Sequence, residues 1–183
     1  MKLERREILR YLRMGNAHPD AVLSTRIDAL ESELLAVARP QSTATLVSVS
    51  YEGPRYRVGP LVLTSADLRR TLRGATKAYL FAATLGLGVD QLLRRAAVTG
   101  ASDLLIAQAI ATAAIEQVAN EAERALAGPR TPRFSPGYGD LPLEIQRDFL
   151  AAIDGARTVG ITLTDAYLMI PSKSITAIIG VIS

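Results

Sequence analysis

The chain contains no cysteine and no tryptophan, and only one histidine among 183 residues. Without cysteine there can be no disulfide framework, thiolate zinc site, iron–sulfur cluster or cysteine nucleophile. The single histidine, His18, excludes a multi-histidine metal site, and any histidine-based triad would have to be built on it alone. It stands before Pro19 in a break between helical patterns, a place that favours extended backbone and a solvated loop or cap residue. No metal site is expected. Aromatics are also sparse, at 5%, which argues against a nucleic-acid surface built from basic clusters and stacking rings. The basic excess is small, 21 residues against 18 acidic ones, and only three of the 21 are lysines. The arginine clusters (Arg5-Arg6, Arg69-Arg70 with Arg73, and Arg94-Arg95) are short and read as solvated helix faces.

Signal-peptide character is missing too, because charges punctuate Met1 to Met14. The apolar region Leu104–Ile115 runs twelve residues without a charge, short of the roughly 18–20 that span a bilayer. A cytoplasmic chain without a membrane partner is the expectation.

What is present is a chain with 49% hydrophobic residues, long enough for a single domain with its own core. Leu3, Ile8, Leu9 and Leu12 fall at helical spacing, and a second amphipathic helix is predicted over Asp20–Ala38. Residues 1–40 thus form a helical segment ahead of a mixed body over 43–183. Thr43–Tyr51, Arg55–Val58 and Pro60–Leu63 read as a strand meander. Ser65 fits the cap of a helix over Ala66–Arg73. Lys77–Leu85 reads as a buried strand and Val89–Ala97 as a helix. Gly86-Leu87-Gly88 between them resembles a dinucleotide turn, but Gln91 stands where the third glycine belongs, so a plain strand-to-helix turn is expected.

The longest predicted helix, Ala101–Ala127, is apolar on most sides and therefore buried on most sides. Glu116 interrupts it. An unpaired carboxylate there would be costly, so Glu116 either reaches an arginine or ligand or sits at the wet edge, which its periodicity favours. Gly128-Pro129 ends the helix, and an irregular segment follows to Leu141. A helix is predicted over Pro142–Ile153, then strands over Thr158–Thr164, Tyr167–Ile170 and Ser174–Ile182. Helices and strands alternate without regular βαβ units, which defines an α+β class.

The segment Arg133-Phe134-Ser135-Pro136-Gly137-Tyr138-Gly139-Asp140-Leu141-Pro142 is distinctive. Two glycines and two prolines in ten residues specify a fixed, irregular backbone whose amide groups an outside partner can take. Arg133 offers a planar five-donor fork suited to a carboxylate. Tyr138 offers a flat face beside glycines that admit a planar group. Together they point to a small anionic or zwitterionic ligand with an aromatic part. The plainer reading, which composition alone favours, is a turn whose arginine caps the preceding helix.

The segment matches Arg-x-x-x-Gly-Tyr in full, and here the sequence resembles the S-adenosylmethionine-binding activation domain of cobalamin-dependent methionine synthase. Downstream, Leu163-Thr164-Asp165-Ala166-Tyr167-Leu168-Met169-Ile170-Pro171-Ser172-Lys173-Ser174 is similar to that family's approach to its final strand. Upstream, Tyr79–Gly86 and Ala113-Ala114-Ile115-Glu116 occur in family-like order, so the resemblance covers most of residues 76–181. It implies a single domain with a twisted, mainly antiparallel sheet flanked by helices. It also implies that Arg133 pairs with the ligand carboxylate and that Ser135 offers main-chain groups. Gly137 belongs to the same binding motif, Tyr138 lines the pocket, and Glu116 lies near the amino end. Arg133 and Glu116 would then complement the two charges of an amino-acid tail.

By the same resemblance the chain is a free-standing activation domain, acting in trans on a methionine synthase or other corrinoid protein. That partner supplies the cobalamin, and a flavodoxin-like donor supplies one electron. The contribution to this methyltransferase reaction of methionine biosynthesis would be positioning alone. The alternative is a non-catalytic scaffold for a corrinoid protein that has lost S-adenosylmethionine binding.

Overall fold

A computed structural model of the chain describes residues 1–14 and 18–182. Of the break expected after the first helix, Asn16 and Ala17 lie outside the described residues. His18 is exposed in a loop. The first two helices are α1 (Arg5–Tyr11) and α2 (Ala21–Val37). Asp20 caps α2, its carboxylate accepting the Leu23 amide at 2.8 Å. The meander follows as β1 (Gln41–Glu52), β2 (Arg55–Val58) and β3 (Leu61–Leu63). Helix α3 (Ala66–Leu72) starts at Ser65, whose hydroxyl accepts the Leu68 amide at 3.0 Å. Next come β4 (Lys77–Thr84), α4 (Leu87–Thr99) and α5 (Ala101–Arg124). The C-terminal third holds α6 (Ile145–Ala152), α7 (Gly155–Thr158), β5 (Thr162–Leu163), β6 (Met169–Ile170) and β7 (Ser174–Val181).

Five strands form one antiparallel sheet in the order β3-β2-β1-β4-β7, and β5 pairs with β6 in a separate two-stranded ladder. Strand β4 lies inside the sheet, between β1 and β7, and is buried on both faces, hence its unbroken apolar run. Its side chains divide by parity. Phe81 and Ala83 join Ala177 and Ile179 of β7 under a layer made of α1, α2, α4 and α5. Ala78, Leu80 and Ala82 join Ile178 on the opposite face, under α3 and α6 and against β2 and β3. Helix α5 touches α1, α2, α4 and the sheet, and its small side chains (Ala107, Ala111, Ala114) permit that crowding. Among the described residues no helix is long and apolar enough to cross a membrane.

Two predicted elements differ. The stretch Thr158–Thr164 is mostly not strand: Gly155–Thr158 is a helical turn that buries Val159 behind it, and only Thr162–Leu163 pairs. Tyr167 cannot open a strand because its φ is +60°, in the left-handed region. It closes a turn in which the Thr164 amide donates to Leu168 O at 2.9 Å. β-branched composition fits a buried turn as well as a strand, which is why pattern misplaces this segment.

The Gly86-Leu87-Gly88 turn has a packing explanation. A Cβ on Gly88 would lie 2.5 Å from the Val37 carbonyl oxygen, so α4 begins pressed against the end of α2. Gly88→Ala must push those helices apart. It should destabilise the protein by about 1–3 kcal/mol, the range for overpacking a close-packed contact, as measured by urea unfolding.

Candidate functional site

The site is built on the free flank of β7. Ile178 and Phe134 exchange both main-chain hydrogen bonds, at 2.8 and 3.1 Å, and the Thr131 amide donates to Gly180 O at 2.9 Å. Residues 130–134 thus cover the C-terminal half of that flank. After Phe134 the chain bends away at Ser135-Pro136. Outward-facing main-chain groups alternate along an antiparallel strand, so those of Thr176 face the same flank as those of Ile178. Among the described residues no main chain outside the sheet pairs with them. In the space beyond lies a cavity of about 610 Å³, walled by Glu116 of α5, by Arg133, Ser135 and Tyr138, by Gln146 of α6, and by Tyr167–Met169 with Ser172. The volume is in the range of small-molecule sites.

The structure brings Arg133, Glu116, Ser135 and Tyr138, all singled out in the sequence, to this cavity. Gly137 does not line it. The Gly137 φ is +86° and its amide donates to Leu141 O at 2.9 Å, so it shapes the turn that carries Tyr138. The Tyr138 side chain stands out at the mouth, 69% exposed.

Arg133 is held from α5. Its Nη2 donates to Glu116 Oε2 at 2.9 Å and to Asn120 Oδ1 at 2.8 Å, and its Nε lies 3.2 Å from Glu123 Oε2. Residues 116, 120 and 123 follow helical spacing along one stripe of α5. The remaining guanidinium nitrogen, Nη1, is buried with no partner among the described residues, while Arg133 as a whole lines the cavity. Glu116 meets both alternatives open to it in the sequence, since it pairs with an arginine and its side chain is still 39% exposed. The arginine that closes the end of α5 is Arg130, whose Nη1 donates to Leu126 O and, at 2.6 Å, to Gly128 O.

Several cavity residues escaped the sequence reading. Gln146 and Thr176 are buried and hydrogen-bond each other, Nε2 to Oγ1 at 2.8 Å and Oγ1 to Oε1 at 3.0 Å. The signal was there: Gln146, Phe149, Leu150 and Ile153 share one buried face at helical spacing, so a glutamine on that stripe needed a polar partner. Tyr167 lies beneath the Arg147 guanidinium, 5.0 Å from the ring centroid.

The loop's far end is anchored by Asp140. Its carboxylate accepts from Ser65 Oγ, from the Ala66 amide at 2.7 Å and from the Asp67 amide at 3.1 Å. The Ser65 hydroxyl, with those two amides behind it, holds the Asp140 carboxyl below its ordinary value. The anchor is present above the unfolded-state pKa of about 3.9 and is lost as pH falls through the lower folded-state value. Asp140→Asn should therefore be less stable than the native chain in denaturant unfolding at pH 7, and the gap should narrow as pH falls below the unfolded-state value of about 3.9.

No protein-family model matches the sequence, and no curated protein is similar to it. Among solved structures, one described as the crystal structure of the MetH reactivation domain bound to AdoHcy superposes with a TM-score of 0.61. It is 16% identical, and the match covers 98% of this chain and 70% of that one. The likeness establishes the fold, a reactivation-domain α+β architecture with a curled antiparallel sheet.

Proposed function

We propose that the cavity binds S-adenosylmethionine and that the chain is a reactivation module for a cobalamin-dependent methionine synthase. The observation that carries this reading is the meeting of Arg133, with its unpartnered buried Nη1, and Glu116 at one wall of the cavity. A carboxylate can pair with the Arg133 guanidinium from the cavity side, and an ammonium can take the exposed side of Glu116. Tyr138 and Tyr167 supply ring faces for a purine, and the outward main-chain groups of Thr176 offer a donor and an acceptor. The match to a reactivation domain holding S-adenosylhomocysteine supports the same ligand class.

When bound, S-adenosylmethionine supplies an electrophilic methyl group for a reduced cobalamin carried by the partner. The chain's own residues bind and orient. Arg133, braced from α5, fixes the amino-acid tail, and the bend at Ser135–Tyr138 sets one wall against which the ligand lies. The corrinoid protein and a flavodoxin-like electron donor are the proposed partners, in the cytoplasm, with the chain acting in trans.

Titration calorimetry with S-adenosylmethionine tests the reading. Saturable binding is expected. Glu116→Gln should weaken it about tenfold and Arg133→Ala by about 10–100-fold, the range for charged hydrogen bonds. One observation favours a second reading, a corrinoid-protein scaffold without the methyl donor: Arg133 already has three side-chain partners on α5. No heat at millimolar ligand from a folded chain would select that scaffold.

A further inference from the structure

The cavity is also bounded by the strap Thr162–Ser172, which contains the β5–β6 ladder and contributes Tyr167, Leu168, Met169 and Ser172 to the lining. That ladder is two residue pairs long and is not part of the five-stranded sheet. An isolated two-stranded ribbon is marginal in water, so the strap's position depends on what fastens it. Leu163 and Met169 pack on the core and Tyr167 lies under Arg147, but the strap's side-chain hydrogen bonds to other elements are concentrated at the end that enters β7. The Asp90 carboxylate of α4 accepts the Ser172 amide, at 3.0 and 3.1 Å to its two oxygens, and the Ser172 hydroxyl at 2.6 Å. Beside it, Lys173 Nζ donates to Thr112 Oγ1 of α5 at 3.0 Å, and Ser174 Oγ donates to Pro171 O at 2.7 Å.

We propose that Asp90 is a positioning residue for the ligand cavity, holding the Tyr167–Ser172 wall in place from outside it. Asp90 itself does not line the cavity. It reaches Ser172 because the Gly86-Leu87-Gly88 turn seats the start of α4 against α2, and Asp90 lies in the first turn of that helix. The glycine pair that resembles a dinucleotide turn in sequence thus bears on the ligand site by placing Asp90. Lys173 holds the base of β7 from Thr112, and Ser174 reaches only the Pro171 carbonyl at the strap's end. The Asp90 carboxylate alone among these groups takes both the amide and the hydroxyl of a cavity-lining residue.

The proposal rests on the ligand reading above, and two measurements separate their failures. Hydrogen exchange is measured on the native chain, Asp90→Ala, Asp90→Asn and Ser172→Ala, with no ligand added. In Asp90→Ala the amides of residues 162–170 should exchange about tenfold faster, as expected for losing a charge-assisted fastening, while those of β4 and α5 stay as in the native chain. Asp90→Asn, which keeps one acceptor oxygen, should fall between. Calorimetry with S-adenosylmethionine should then give a dissociation constant raised about tenfold in Asp90→Ala and less in Asp90→Asn. Strap exchange unchanged in Asp90→Ala overturns the proposal, and so does acceleration spread evenly over the whole chain. Native affinity in a variant with a loosened strap overturns it too. A native chain that takes up no S-adenosylmethionine overturns the ligand reading and the ligand half of this proposal together, while the exchange data still decide the fastening.

Discussion

The arrangement depends on one guanidinium gripped by one helix. Arg133 leaves the end of the segment that pairs with β7 and turns its side chain onto the stripe formed by Glu116, Asn120 and Glu123. Both ends of that contact are otherwise fixed. Helix α5 is enclosed by three other helices and the sheet, and residues 131 and 134 are hydrogen-bonded to Gly180 and Ile178. The guanidinium therefore locks the irregular loop to the longest helix at the one place where the loop departs from the sheet. A lysine could not do the same, because a point charge lacks the planar fork that serves three acceptors in a fixed geometry.

The cavity then follows from interrupted pairing. A sheet edge left open is a template for unwanted strand addition, and proteins usually cover it. Here residues 130–134 cover half of the β7 flank, and the strap with its cis Ile170–Pro171 bond lies beyond the other end. Between those two coverings Thr176 keeps main-chain groups that the rest of the fold does not use. On one side stands the α5 carboxylate stripe and on the other Gln146 of α6, paired with Thr176 of β7. The two helical layers that bury the faces of the sheet also form the walls of the gap at its edge.

Much of this was legible in the sequence, and what was not has identifiable causes. Strand β4 and helix α5 announce themselves because each is buried on most sides, so composition and length suffice. Ser65 and Asp20 mark helix starts through a local, one-residue chemistry. Arg133, Ser135 and Tyr138 stand out because glycine and proline crowd around them. The strap was misplaced because its decisive feature is a backbone angle: Tyr167 adopts a left-handed conformation that nothing in its side chain encodes. Asp90 and Gln146 were passed over for another reason. Each acts through a partner 82 or 30 residues away, and a contact of that sequence separation leaves no periodic trace. The resemblance at Arg133-x-x-x-Gly137-Tyr138 carried the fold correctly even though identity to the solved reactivation domain is only 16%.

The charges at the α5 wall bear on what the cavity prefers. One guanidinium faces two carboxylates, Glu116 and Glu123, so the cluster carries one negative charge in excess. A ligand carboxylate pairing with Arg133 makes that excess worse unless it brings positive charge with it. An amino-acid tail does so through its ammonium, which neutralises the carboxylate it travels with and leaves the excess unchanged. A sulfonium centre on the same molecule adds the one further positive charge that balances the site, whereas the thioether left after methyl loss does not. Such charge pairs are worth most where water is excluded, and Arg133 is the more buried member of its pairs, with 21% of its side chain exposed. On the proposed reading, the α5 stripe that braces the arginine favours a methyl donor over the product of its use.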